Sequence, residues 1–61
     1  MDNKLKTIRK ERNMSQAELA EKSGVSRATI ANIERGIQVE ILLSTATKLA
    51  NALDVNVSEV I

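Results

Sequence analysis

The chain has 61 residues, a net charge of +1, and no Cys, His, Pro, Phe, Tyr or Trp. A chain this short buries only about 60% of its unfolded surface, so one small core and a single domain over residues 1–61 are expected. Without Cys there are no disulfides or thiolate metal sites. Without Cys and His, the usual nucleophile–base pairs and transition-metal sites cannot be assembled. A binding module with no cofactor and no metal is therefore expected, not an enzyme. No apolar run approaches the roughly 18 residues that span a bilayer, and Met1-Asp2-Asn3-Lys4 lacks the pattern of a secretory leader. The expectation is a cytoplasmic protein without membrane contact.

The charge is unevenly spread. Residues 1–35 hold eight of the nine basic side chains against five acids, whereas residues 36–61 hold Lys48 against Glu40, Asp54 and Glu59. Such a dipole suits a polyanionic partner for the first half, although an ordinary mixed-charge helical surface gives the same excess.

In chain order, the first predicted helix covers about Asn3 to Arg12. Leu5 and Ile8 form its apolar stripe, with Lys4, Lys6, Arg9, Lys10 and Arg12 on the other faces. The second opens at cap Ser15, with Glu18 completing a capping box and Met14 and Leu19 forming a hydrophobic staple. It runs to about Ser23 and stops at Gly24, which accepts the left-handed conformation. The third repeats the staple with Val25, cap Ser26 and Ile30, and ends at Gly36. Only Gly24-Val25-Ser26 separates the second and third helices, and so short a turn makes them cross steeply. Leu49, Ala50 and Leu53 place a fourth helix over about Ser44–Leu53, and Asn56 with Glu59 caps a last short one. Ile37 to Ile41 alternates like a strand but has no partner strand, so it reads as a loop or an irregular helix entry.

On a wheel at about 100° per residue, the third helix has two faces. Ile30 and Ile33 mark the core side, while Arg27, Ala31, Arg35, Ala28 and Asn32 fill one outward arc without an acid. The alanines let a partner surface approach closely. Arg and Asn are the side chains that make bidentate contacts to guanine and adenine edges. An exposed helix face can hold the same residues without any such partner, but it usually scatters Glu and Lys among them. Glu34 falls at the edge of the core face, where an internal pairing is expected.

Gln16 to Gly36 resembles the helix-turn-helix of the phage-repressor, or Cro-like, family. Ala20 stands at the contact between the two helices, Gly24 at the turn, and Val25, Ile30 and Ile33 in the core. The likeness extends upstream through Ile8-Arg9-Lys10-Glu11-Arg12 and downstream through Lys48 to Leu53 and Val55 to Val60. It implies an all-α fold, a compact lambda-repressor-like domain of five short helices. The implied function is sequence-specific binding of double-stranded DNA by a transcriptional regulator, a repressor in the first instance, associated with the nucleoid.

The resemblance also implies roles for individual residues. Gln16 matches a phosphate-clamping glutamine, at a helix N-terminus whose free N–H groups and dipole favour an anion. Arg27, Ala28 and Asn32 match the positions that meet base edges, taking guanine, a thymine methyl and adenine respectively. Thr29 and Arg35 flank them as phosphate contacts, and Ser15 and Ser26 are caps first and backbone contacts second. Arg9 and Glu34 resemble a partly buried ion pair tying the first helix to the third.

Members of this architecture bind palindromic half-sites as homodimers. The candidate dimer surfaces are Val57, Val60 and Ile61, which could equally be core, and the Ile37–Leu42 segment. That segment departs from the family: it is one residue longer and lacks the usual base, Pro and Ser cap. Ala46 and Thr47 fall where larger aliphatic residues are usual. The alternative reading is a protein-interaction module, antitoxin-like or anti-repressor-binding, that keeps the fold and uses the apolar 37–42 loop.

Overall fold

A computed structural model describes residues 4–36 and 42–60. Four α-helices, α1 (Lys4–Glu11), α2 (Gln16–Ser23), α3 (Arg27–Glu34) and α4 (Leu43–Leu53), are followed by one 3-10 turn, Val57–Glu59. The expected fifth helix is thus a single tight turn. The expected alternation at residues 37–41 lies outside the described residues, as does Ile61.

The helix starts follow from local chemistry. Ser15 Oγ accepts the Glu18 N–H at 3.0 Å, and the Ser15 N–H donates back to Glu18 Oε1 at 3.1 Å, satisfying two otherwise orphaned donors. Ser26 Oγ accepts the Thr29 N–H at 3.2 Å in the same role for α3. α4 begins one residue earlier than expected, and Leu42 provides no side-chain cap.

Among the described residues, Asn13, Gly24, Gly36 and Asp54 end helices in the left-handed conformation. At Asn13 and Asp54 the chain makes the full double closure. The Asn13 N–H donates to the Lys10 carbonyl and the Met14 N–H to that of Arg9; Asp54 and Val55 close onto Asn51 and Ala50 likewise. Only glycines were expected to punctuate the chain. Asn and Asp also tolerate this geometry, because a short polar side chain can bond locally.

The core is aliphatic throughout. Leu5, Leu19, Val25, Ile30, Ile33, Ala46, Leu49, Ala50, Leu53 and Val60 are buried, with Ile8, Met14, Ala20, Val55 and Val57 packed against them. Both members of each staple therefore meet the core. α2 packs on α3 and α4, α1 on α3, and the 3-10 turn on α4. Ala46 is fully buried, and Thr47 is exposed with its hydroxyl donating to the Leu43 carbonyl at 2.8 Å. Among the described residues no helix is long and apolar enough to cross a membrane.

Candidate nucleic-acid interface

α3 presents its two faces to different surroundings. Ile30 and Ile33 lie in the core, while Arg27, Ala28 and Arg35 are exposed and Ala31 and Asn32 half-buried. The acid of this helix, Glu34, is buried, so no carboxylate of α3 lies on the exposed arc. The arc therefore joins two guanidinium groups, one carboxamide and two methyl side chains, with a positive field along it.

Glu34 is buried because α1 supplies a matching cation. Arg9 Nε donates to Glu34 Oε2 at 2.6 Å and Nη2 to Oε1 at 2.9 Å, a planar two-pronged pair. Arg9 Nη1 donates to the Met14 carbonyl at 2.7 Å, which fixes the chain just ahead of the Ser15 cap. Gln16 Nε2 donates to Glu34 Oε1 at 3.2 Å. Burial works against the Glu34 charge, but the hydrogen bonds from Arg9 and Gln16 and the positive charges of Arg9 and Lys6 outweigh it. The carboxyl is consequently held below its ordinary value. The hydrogen bond to Glu34 raises the Arg9 guanidinium above its already high value. No buried side-chain polar atom among the described residues lacks a partner.

The remaining residues of interest sit at the starts of α2 and α3. Ser15 is exposed and occupied as a cap, and Gln16 is half-buried against Glu34. Ser26 Oγ also donates to Thr29 Oγ1 at 2.8 Å. Ser26 has thus spent its one hydroxyl proton, and the proton of Thr29 is the one left to donate to an anion. Val60 is buried, and Val57 is half-buried against the core. Leu42 and Leu43 are the exposed large apolar residues among those described, 74% and 68% accessible.

Sequence reasoning did not anticipate the Gln16–Glu34 hydrogen bond, the Arg9 bond to the Met14 carbonyl or the Ser26–Thr29 hydroxyl pair. The last had a usable signal: a cap hydroxyl three residues before a threonine. The Gln16–Glu34 bond depends on how the ends of α2 and α3 converge, which no local spacing encodes, and the Arg9–Met14 bond lies across the left-handed turn at Asn13 that the sequence did not announce.

A chain with this turn between α2 and α3 and this buried core is a helix-turn-helix protein, and comparison with known proteins agrees. The profile of the helix-turn-helix family matches residues 5–60. The immunity repressor of Bacillus phage phi105 is 43% identical over 58 residues, covering 95% of this chain and 40% of the repressor. The transcriptional regulator SinR of Bacillus subtilis is 39% identical over 54 residues, covering 88% of this chain and 49% of SinR. This chain therefore spans half or less of the length of those two relatives. The crystal structure of the restriction-modification controller protein C.AhdI from Aeromonas hydrophila superposes with a TM-score of 0.89 at 34% identity. It covers 97% of this chain and 88% of the controller. The chain belongs to the helix-turn-helix family and is similar to Cro-like phage repressors and transcriptional regulators.

Proposed function

We propose that this protein binds double-stranded DNA by sequence and acts as a transcriptional repressor, with α3 in the major groove. The observation that carries the reading is the acid-free arc of Arg27, Ala28, Ala31, Asn32 and Arg35, exposed at Arg27, Ala28 and Arg35 and half-buried at the other two. In this reading Arg27 takes guanine O6 and N7, Asn32 takes adenine N6 and N7, and Ala28 lies against a thymine methyl. Gln16, Thr29 and Arg35 hold phosphates. Ser15 and Ser26 order the helix N-termini that face the backbone; Ser26 has given its hydroxyl proton to Thr29, while Ser15 Oγ only accepts and keeps its proton for a phosphate.

One such domain reads about half of an operator. The protein is proposed to act as a homodimer on two half-sites about 10–10.5 bp apart, centre to centre. Leu42 and Leu43, next to the 37–41 stretch, are the surface proposed for pairing, being more exposed than buried Val60 and half-buried Val57.

The exposure of Leu42 and Leu43 also favours a second reading, a module that binds another protein through this segment. Selection from a randomised, dye-labelled duplex pool, with a salt titration, separates the two. Enrichment of a palindrome, with affinity falling steeply as salt rises, supports the repressor. A folded protein that enriches no sequence at low salt supports the interaction module.

A further inference from the structure

The contact between Gln16 and Glu34 joins a residue assigned to phosphate with one buried in the core. We infer that Glu34 is a positioning residue for DNA binding, acting through the Gln16 side chain; this rests on the DNA-binding reading above. Glu34 Oε1 accepts both Arg9 Nη2 at 2.9 Å and Gln16 Nε2 at 3.2 Å. An ionised carboxylate only accepts hydrogen bonds, so it dictates which end of the Gln16 amide faces it. The NH2 group turns towards Glu34, with one proton bound there and the other available to a phosphate oxygen. A glutamine without this anchor has three rotatable side-chain bonds and presents its carbonyl as readily as its NH2, and a carbonyl repels phosphate.

Arg9 makes the arrangement compatible with DNA. A bare carboxylate beside a phosphate site would oppose binding, and the two-pronged guanidinium cancels its charge while leaving Oε1 able to accept from Gln16. Through its bond to the Met14 carbonyl, Arg9 also fixes the entry to α2, so backbone and side chain of the clamp are set from one point. The end of the reading helix and the start of the clamping helix thereby share a carboxylate, which holds phosphate contact and base contact in register.

The test is a double-mutant cycle on duplex affinity with Gln16→Ala, Glu34→Gln and the double variant, at a temperature where far-UV dichroism shows all of them folded. The cycle cancels the general effect of removing one negative charge. Gln16→Ala is expected to weaken binding about three- to tenfold in the wild-type background, equally for the enriched site and for random DNA, and less than about twofold in the Glu34→Gln background. Because Gln16 is uncharged, its loss should leave the salt slope unchanged. An equal loss in both backgrounds overturns the inference. The second measurement needs no variant: 15N relaxation of the Gln16 side-chain amide in the free protein. An order parameter near the rigid-backbone level of about 0.85 is expected, and one below about 0.6 overturns the inference. Failure of the wild type to bind any duplex overturns the DNA reading and the inference with it. Failure of the coupling alone leaves the DNA reading intact.

Discussion

Arg27 and Gln16 are proposed to touch DNA in different ways, and single substitutions separate the two roles. Arg27→Ala should cost roughly 1–3 kcal/mol on the selected site and relax preference at one base pair, measured by competition with single-base variants of that site. An equal loss on every sequence would place Arg27 on a phosphate instead. Glu34 carries a prediction about acid. Its folded-state value lies below the unfolded one, so its contribution to stability is fully present above the unfolded value. That contribution is lost as pH falls through the folded value. Urea midpoints should therefore drop on acidification below the ordinary carboxylate range, and by less in Glu34→Gln. The Arg9 value is raised, so its contribution persists at every pH at which the protein would be studied. At this scale the sequence was informative about which residues face outward on α3, because period and polarity suffice for that. It was silent on Gln16 meeting Glu34, since they are 18 positions apart and only the assembled helices bring them together.

Among the elements, the turn between α2 and α3 bears most of the geometry. Gly24 has φ +76°, with nothing within 4 Å of where a Cβ would stand. Gly24→Ala should therefore cost about 1 kcal/mol from backbone strain alone, with no clash and no change in the DNA site selected. A loss above about 3 kcal/mol would mean that the crossing of the two helices had shifted. The starts of α2 and α3 were legible because a capping box and a staple are each written within six residues. The closures at Asn13 and Asp54 were less so: neither residue type demands the left-handed region, and the same letters serve equally in helices and loops. The expected last helix is one 3-10 turn, Val57–Glu59, in which the Val60 N–H closes onto the Val57 carbonyl three residues back.

For the whole molecule, the core is built from leucine, isoleucine, valine and alanine, and a domain of this size has about 3–9 kcal/mol of stability to lose. Leu49→Ala, at a fully buried position, should remove roughly 2–5 kcal/mol, enough to leave a large unfolded fraction at 37 °C by calorimetry. Replacing exposed Leu42 and Leu43 with Ser should leave the melting temperature of the monomer within about 2 °C, because surface changes are usually small in effect. The same change should shift the sedimentation of a dimer towards monomer. If the dimer is untouched, pairing uses another surface.

The buried joint between Arg9 and Glu34 also bears on how the molecule acquires its structure in time. The two residues are 25 positions apart, and their charges attract strongly only once water has left the site. Short helices that pack on near neighbours collapse before such a contact is dry, so the pair should form after the folding barrier has been crossed. Arg9→Met should then accelerate unfolding while hardly slowing folding, which infrared temperature-jump relaxation across a urea series would resolve into its two arms. The pair would act less as an instruction for reaching the native state than as a latch that lengthens the time spent there.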